Sequence, residues 1–266
     1  MNRSPLLDGV VAACLRAGAE IMRHVELGFE VLSKADESPV TAADHAAEAI
    51  LLEALQALAP GVPVVAEEEV AAGRTPAVGR RYFLVDPLDG TREFARGGSD
   101  YTVNVGLIED GAPVLGVVYA PRLGRLFAGA ARDGAFIAEG STAGEVGARR
   151  PMRVRAPGER LTVVASRSHA NPGLDRWLAA LPVGARVDTG SSLKFGLVAA
   201  GEADLYPRTG PTMEWDTAAG DAVLRAAGGM TFAPDGTVFA YGKPGFLNGP
   251  FVASGGYVAP PIGGHG

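Results

Sequence analysis

The chain has 266 residues, of which 47% are hydrophobic, and it carries a formal net charge of −6 at pH 7. This length fits one large domain or two smaller ones that share an interface, and the hydrophobic content excludes a wholly disordered chain. The sequence has no basic stripe, which argues against a nucleic-acid duplex as a partner. The single cysteine, Cys14, excludes an intrachain disulfide, and its place on an apolar helix face predicts a buried thiol.

The N-terminal sequence lacks the apolar core of a signal peptide, and no run of about 18 apolar residues occurs in the chain. We therefore expect a soluble, cytoplasmic protein without a transmembrane segment. Peripheral association with the inner membrane is left open by these features, and so is the choice between a monomer and a homodimer.

The first half of the chain predicts helices and antiparallel strands. Apolar residues recur at helical spacing from Leu6 to Met22. A second helix is expected to begin at Thr41 and to end at Pro60, because Thr41 and Asp44 form the T-x-x-D pattern of a capping box. The expected strands of this half are "FEVL", "VPVVAEEE" and "RYFLV", followed by the hairpins "TVNVGLIEDGAPVLGVVYAP" and "RLFAGAARDGAFIA".

In the second half, strands and helices alternate. Strands are predicted at "LTVVAS", "ARVDTG", "ADLYP" and "FVAS", and helices at "NPGLDRWLAAL", "SSLKFGLVAAG" and "WDTAAGDAVLRAA". The polar, non-periodic stretch 139–150 predicts a boundary or a long surface loop. We therefore expect two halves, residues 1–145 and 146–266, within one compact unit of layered α/β architecture.

Carboxylates occur where predicted elements begin or end. Glu67 follows the apolar run "VPVVA", Asp86 and Asp89 follow "RYFLV", and Asp216 opens a helix. Strand ends hold side chains rigidly at one edge of a sheet, and several carboxylates gathered there repel one another unless cations lie between them. The pattern indicates a site for a hard cation with oxygen ligands, Mg²⁺ first among them. These four residues are the candidate metal ligands.

The stretch "VDPLDGT" is the most specific of these patterns. Pro87 fixes the chain between Asp86 and Asp89, Gly90 permits a close backbone approach, and Thr91 adds a hydroxyl. Turn chemistry explains an Asp-Gly pair but not an acid that closes a fully apolar strand. Haloacid-dehalogenase phosphatases carry D-x-D-G-T with an aspartate nucleophile; the spacing here is D-x-x-D-G-T, which makes that alternative the weaker one.

Other acidic residues have simpler explanations. Glu68 and Glu69 are expected to be solvated charges beside the first candidate ligand. Asp110, Asp133 and Asp235 precede or lie within glycine-containing turns and are expected to have no further role. We therefore leave these five residues out of the predicted metal site.

Three separated motifs, "AEEE", "VDPLDGT" and "WDTAAGDAVLRAAGG", occur in this order. In this arrangement the chain resembles the lithium-sensitive, Mg²⁺-dependent phosphatases of the inositol monophosphatase superfamily. The stretches "SKADESPVTAAD", "LGVVYAP", "SRSH", "GSSLKF" and "LYPR" are similar to the 3′(2′),5′-bisphosphate nucleotidases of the CysQ type within it. One departure is Ala66, which precedes Glu67 where the family pattern has serine. The resemblance implies a sugar-phosphatase-like fold with alternating layers of helices and sheets.

The same resemblance implies two Mg²⁺ ions, or three, in one active site. Glu67, Asp86 and the backbone carbonyl of Leu88 would hold a first ion. Asp86, Asp89 and Asp216 would hold a second. Paired metal ions neutralise charge on the attacking and leaving oxygens of a phosphate ester, which agrees with hydrolysis of a phosphate monoester.

Three catalytic residues are also implied by the resemblance: Asp44, Glu67 and Thr91. Thr91, braced by Asp44, would orient or deprotonate the attacking water. Gly90 and Thr91 would present backbone N–H and hydroxyl groups to the scissile phosphate. Since water activated at a metal attacks directly, no covalent phosphoenzyme is expected.

Substrate recognition is expected in the second half. Gly190, Ser191 and Ser192 precede a helix, where their N–H groups and hydroxyls either bind a phosphate or only cap the helix. Lys194 and Arg208 would contact a second phosphate, although Lys194 could equally be a surface lysine. The full predicted substrate site consists of Leu88, Asp89, Gly90, Thr91, Ser166, Arg167, His169, Gly190, Ser191, Ser192, Lys194, Arg208 and Asp216.

A substrate with two phosphates explains why basic residues occur beyond the metal site. The resemblance implies a phosphoric monoester hydrolase that converts adenosine 3′,5′-bisphosphate to AMP and phosphate in sulfur assimilation, with 3′-phosphoadenylyl sulfate as a second candidate substrate. One alternative is an inositol or other sugar-phosphate monoesterase on the same scaffold. Another is a non-catalytic regulator that binds a phosphorylated ligand, against which the intact set of carboxylates argues.

Overall fold

The computed structural model describes residues 4–28, 31–33, 39–141, 145–166 and 172–262. Helix α2 begins at the predicted capping box, in which Thr41 accepts from the Ala43 N–H at 3.2 Å and donates its own N–H to Asp44 at 2.7 Å. The α-helices of the described residues are α1 (Pro5–Leu27), α2 (Ala42–Leu58), α3 (Glu67–Ala71), α4 (Thr91–Ala95), α5 (Pro172–Ala179), α6 (Leu193–Ala199) and α7 (Trp215–Ala226).

The first large sheet has seven strands whose spatial order is their chain order. It is preceded by a short antiparallel pair, β1 (Val31–Ser33) and β2 (Pro39–Thr41). The sheet contains β3 (Val64–Ala66), β4 (Arg81–Asp89), β5 (Thr102–Glu109), β6 (Ala112–Ala120), β7 (Arg125–Ala130), β8 (Gly134–Glu139) and β9 (Arg150–Met152). Strands β3 and β4 are parallel, and every later pair is antiparallel, including both predicted hairpins.

The second large sheet has five strands and mixed direction. The remaining strands are β10 (Leu161–Ser166), β11 (Val183–Thr189), β12 (Leu205–Arg208), β13 (Thr212–Met213), β14 (Met230–Phe232), β15 (Leu247–Asn248) and β16 (Phe251–Ser254). The five-stranded order is β11-β10-β12-β16-β14, with β10 parallel to both neighbours and the other pairs antiparallel. Strands β13 and β15 form a separate antiparallel pair.

Helices and sheets alternate in layers. Helices α1 and α2 pack on one face of the seven-stranded sheet, where Leu51 and Phe83 share a fully buried core. Helices α6 and α7 lie between the two sheets, in a second core that contains Phe195. Helix α5 covers the other face of the five-stranded sheet, where Trp177 packs with Leu205. This arrangement confirms the predicted layered α/β fold.

The close contact between the first sheet and α7 requires glycine. A Cβ at Gly116 of β6 would lie 2.2 Å from the backbone oxygen of Ala219, and one at Gly106 of β5 would lie 2.7 Å from the Cβ of Ala218. No side chain fits in that space, so the absence of a Cβ lets α7 lie directly on the strands. The helix thereby brings Asp216, in its first turn, to the end of β4.

Two sequence predictions about the first acidic cluster are wrong. The strand does not run into the acids, because Glu67 opens α3 instead of ending β3. Glu68 is not solvated: its side chain is buried, and its N–H donates to Glu48 at 2.8 Å. Glu69 is confirmed as a solvated charge, since it forms an exposed ion pair with Arg74 at 2.7 Å.

Other predictions about single residues are confirmed. Asp110 lies in the β5–β6 turn and pairs with Arg80, and Asp133 lies in the β7–β8 turn. Cys14 is fully buried on α1, and burial raises the pKa of its thiol. Across the described residues, the helices lack the length of apolar sequence that crossing a membrane requires.

Candidate active site

A cavity of about 860 Å³ opens at the end of β4. Its wall contains nearly all of the predicted site residues. The predicted residues in the wall are Glu67, Asp86, Leu88, Asp89, Gly90, Thr91, Ser166, Gly190, Ser191, Ser192, Lys194, Arg208 and Asp216. Arg167 and His169 lie outside the described residues. Asp44 reaches the cavity through its contact with Thr91.

Glu67, Asp86 and Asp216 form the acidic centre of the cavity. One carboxylate oxygen from each lies within 4.8 Å of the other two. Because β3 and β4 are parallel, their C-terminal ends lie at the same edge of the sheet, which brings Glu67 next to Asp86. Asp216 comes from a distant part of the sequence and arrives through the packing of α7.

The electrostatics of this centre favour a cation. Burial raises the pKa of Asp86 well above its usual range, and the charges of Glu67, Asp89 and Asp216 raise it further. Burial also raises the pKa of Asp216, and repulsion by the neighbouring carboxylates raises it further. A 2.8 Å hydrogen bond from the Met213 N–H acts in the opposite direction and lowers it. Carboxylates this close ionise together only with positive charge among them. A donor set made of oxygen alone fits a hard divalent cation.

Leu88 and Asp89 are held by hydrogen bonds at the edge of this centre. The Leu88 N–H donates to Asp86 Oδ1 at 3.0 Å. Asp89 Oδ2 accepts from the Ser192 N–H at 2.7 Å and lies 3.1 Å from the Ser192 hydroxyl. Burial raises the pKa of Asp89, whereas the nearby charge of Lys194 lowers it. Asp89 thus links the acidic centre to the loop before α6.

Thr91 lies in a network of acceptors. Its Oγ1 is 3.1 Å from Asp44 Oδ1 and 3.0 Å from the Leu88 backbone oxygen. Asp44 is itself fixed by Thr41, whose N–H and hydroxyl both donate to Asp44 Oδ2 at 2.7 Å. Since a hydroxyl has one proton and both neighbours of Thr91 are acceptors, Thr91 donates into the wall and retains lone-pair capacity for a donor in the cavity. The expected contact between Thr91 and Asp44 is therefore present.

The loop before α6 is fixed by buried polar contacts. Asp100 accepts from the Thr189 hydroxyl at 2.9 Å and from the Gly190 N–H at 3.0 Å. The Ser192 hydroxyl lies 2.6 Å from the backbone oxygen of Asp216 and makes no capping bond to α6. Capping is therefore the wrong explanation for Ser192, which instead connects this loop to α7.

The basic residues Lys194 and Arg208 also take part in internal contacts. Lys194 is 2% exposed, so the surface-lysine alternative is wrong. Its ammonium group donates to the backbone oxygen of Ser191, and burial lowers its pKa to about 8. The Arg208 guanidinium donates to the Ser166 hydroxyl at 3.1 Å. Both cations lie in the wall of the cavity.

Several residues of the cavity wall were missed by the sequence analysis. They include Arg92, Glu93 and Arg96 of the α4 turn and the buried acid Asp100. The sequence did contain a signal for the two arginines. Arg92 follows "DGT" directly, and Arg96 comes four residues later, which is the spacing of one helix face. Asp100 gave no comparable signal, since its partners lie about 90 residues away in the sequence.

The chain is similar to known proteins over most of its length. The model of the inositol monophosphatase family matches residues 2–260. The chain belongs to the inositol monophosphatase family. This family is metal-dependent, and the three clustered carboxylates supply a suitable site.

Relatives of known name cover almost the whole chain. The 3′(2′),5′-bisphosphate nucleotidase CysQ of Escherichia coli (strain K12) is 43% identical over 252 residues, which are 94% of this chain and 99% of that protein. The crystal structure of CysQ from Bacteroides thetaiotaomicron has a TM-score of 0.78 and 32% identity, covering 94% of this chain and 97% of its own. An inositol monophosphatase from Anabaena has a TM-score of 0.71 and 29% identity, with coverage of 94% and 89%.

The substitution Asp86→Asn tests the acidic centre. It removes one buried negative charge and keeps the Oδ1 acceptor of the Leu88 N–H, so the metal-free variant should melt at a higher temperature than the metal-free wild type. Mg²⁺ at about 100 times its dissociation constant should stabilise the wild type by roughly 2.7 kcal/mol and leave the variant almost unchanged. Differential scanning calorimetry with a chelator and with Mg²⁺ measures both effects.

The matched control is Asp110→Asn in the exposed β5–β6 turn, which should keep the wild-type response to Mg²⁺. An Asp86→Asn variant that is stabilised by Mg²⁺ as strongly as the wild type would show that the cation binds elsewhere.

Proposed function

We propose that the chain is a Mg²⁺-dependent 3′(2′),5′-bisphosphate nucleotidase that hydrolyses adenosine 3′,5′-bisphosphate to AMP and phosphate. The observation that supports it best is one cavity that combines three clustered carboxylates with a braced threonine and basic side chains. A 43% identical relative named as this enzyme over nearly its full length supports the same substrate class. We propose the cytoplasm and sulfur assimilation as its setting, with 3′-phosphoadenylyl sulfate as a second substrate.

The carboxylates define where the metal ions would bind. We propose that Glu67, Asp86 and the Leu88 carbonyl hold one Mg²⁺, and that Asp86, Asp89 and Asp216 hold another. The Leu88 carbonyl oxygen already accepts a hydrogen bond from Thr91. Because a carbonyl oxygen has two lone pairs, it can still bind a metal ion. Bound metal supplies positive charge to the phosphate oxygens and makes hydroxide available near neutral pH.

Thr91 and Asp44 would orient the water. The Thr91 hydroxyl directs its proton toward the acceptors of the wall, so its lone pair can accept a hydrogen bond from water on the cavity side. Asp44 holds that orientation because its other oxygen is fixed by two 2.7 Å hydrogen bonds from Thr41. In this scheme water attacks the phosphate directly. No side chain acts as a nucleophile, and no group becomes attached to the protein.

The size of the cavity fits a nucleotide. A volume of about 860 Å³ exceeds what a lone phosphate needs and lies within the usual range for ligand clefts, roughly 300–1,000 Å³. We propose that Gly90 and Thr91 face the scissile phosphate and that Lys194 and Arg208 contact the second phosphate of the substrate. The remaining proposed contacts are Ser166, Arg167, His169, Gly190, Ser191 and Ser192.

Two alternatives are not favoured. A sugar-phosphate monoesterase needs no set of basic residues beyond the metal site, yet the cavity wall contains several. A non-catalytic regulator is expected to lack part of the metal set, yet the carboxylates and Thr91 all line the cavity.

Phosphate release from two substrates tests the proposal. With Mg²⁺, the purified protein should hydrolyse adenosine 3′,5′-bisphosphate at a kcat/KM at least about tenfold above that for inositol 1-phosphate, because only the first offers a second phosphate to the basic residues. Lithium should inhibit the reaction. A preference for inositol 1-phosphate would overturn the nucleotidase assignment and keep the metal site. No release from either substrate would favour the regulator.

Two substitutions of Thr91 by residues of similar size to threonine test its role. Thr91→Val removes the hydroxyl and should lower kcat by about 10²–10⁴-fold with little change in KM, because the water loses its acceptor. Thr91→Ser retains the hydroxyl and should stay within about tenfold of the wild type. Steady-state kinetics at saturating Mg²⁺ measure both, and a wild-type kcat for Thr91→Val would contradict the assignment.

A further inference from the structure

Helix α2 carries two carboxylates on its buried face. Asp44 and Glu48 are one helical turn apart, and the two residues are 1% and 4% exposed. Like charges at this spacing disfavour a helix, and burying a carboxylate costs free energy unless hydrogen bonds compensate for it. The capping box and the contact with Thr91 account for Asp44. The stability of α2 does not account for Glu48.

Glu48 contacts the start of α3, the helix that opens with the candidate metal ligand Glu67. Its Oε2 accepts from the Glu68 N–H at 2.8 Å, in a buried contact. The first N–H groups of a helix have no partner inside the helix, and the side chain of the preceding residue commonly binds one of them. That residue is Ala66, whose backbone is extended as in an N-cap but which makes no side-chain cap. Glu48 therefore supplies, from another helix, the acceptor that the N-cap of α3 lacks.

Glu67 lies between two fixed points of the backbone. On one side, the pairing of β3 with β4 ends at Ala66, opposite Val85. On the other side, Glu48 holds the Glu68 N–H, which belongs to the same planar peptide unit as the Glu67 carbonyl. With five residues, α3 is too short to be stable by itself. The direction in which the Glu67 side chain leaves the backbone thus depends on Glu48.

We infer that Glu48 is a positioning residue, which fixes the start of α3 and thereby holds Glu67 in the group of three carboxylates; this inference rests on the proposed metal site. The oxygens of that group lie within 4.8 Å of one another, a spacing that requires Glu67 to keep its place. Replacing a group that orients a metal ligand typically lowers metal affinity by roughly 10–100-fold. Helix α2 then serves the site twice, because Asp44 orients Thr91 and Glu48, one turn later, orients Glu67.

Calorimetric titration of the metal-free protein with Mg²⁺ tests this inference. Glu48→Met removes the acceptor at nearly constant size and should raise the Mg²⁺ dissociation constant by about tenfold or more. Glu48→Gln keeps an acceptor oxygen and should stay within about threefold of the wild type. The double variant Glu48→Met/Ala66→Ser gives α3 a cap from its own N-cap residue and should also return to within about threefold.

The matched control is Glu53→Met, the same substitution at an exposed position of α2, which should keep the wild-type dissociation constant. A thermal melt of each metal-free variant shows whether it is folded. A role in stability alone would lower the melting temperature of Glu48→Met and leave the dissociation constant of the folded variant unchanged.

Each outcome decides the inference. A folded Glu48→Met variant with the wild-type dissociation constant overturns it and leaves the metal site intact. A Glu48→Gln variant that binds Mg²⁺ as weakly as Glu48→Met also overturns it, since the charge and not the acceptor would then matter. If Glu48→Met does not fold, Glu48→Gln and the double variant decide: wild-type binding supports the inference, and weak binding overturns it. A wild type that binds no Mg²⁺ fails at the earlier step and overturns the proposed metal site together with the inference.

Discussion

Repulsion among closely spaced carboxylates is the constraint on which this site depends. Glu67, Asp86 and Asp216 bring oxygens within 4.8 Å of one another in a place where burial already disfavours the charged forms of Asp86 and Asp216. Such an arrangement lowers stability in the absence of a cation and gives a bound cation a large share of its binding free energy. Beside this group of three, the charges of Lys194 and Arg208 lower the pKa of Asp89. The proposed metal site and the proposed phosphate site therefore depend on the same charge distribution.

The fold holds these charges in place through backbone geometry. Parallel pairing of β3 with β4 fixes Glu67 next to Asp86, and the glycines of β5 and β6 let α7 come close enough to add Asp216. On the other side, the capping box that starts α2 also fixes Asp44, so one interaction both begins a helix and orients Thr91. The loop before α6 connects the two parts, because Ser192 contacts both Asp89 and Asp216. Elements far apart in the sequence thus meet in one cavity.

The sequence was sufficient for features that depend on local pattern. The capping box at Thr41, both hairpins and the layered fold follow from spacing and turn residues, and the family motifs identify most of the cavity wall. Features that depend on tertiary packing were not predictable: nothing local distinguishes the buried Glu68 from the partly exposed Glu69, or the buried Lys194 from a surface lysine. The engagement of Asp100 with a loop about 90 residues away likewise appears only in the folded chain.

The location of the metal is the central claim, and anomalous diffraction from crystals grown with Mn²⁺ in place of Mg²⁺ tests it most directly. We predict an anomalous peak among the carboxylates of Glu67, Asp86 and Asp216, with Asp89 within reach of a second peak. Both peaks should be lost in crystals of Asp86→Asn. A peak elsewhere in the molecule, with none among these carboxylates while Mn²⁺ supports phosphate release, would contradict the account.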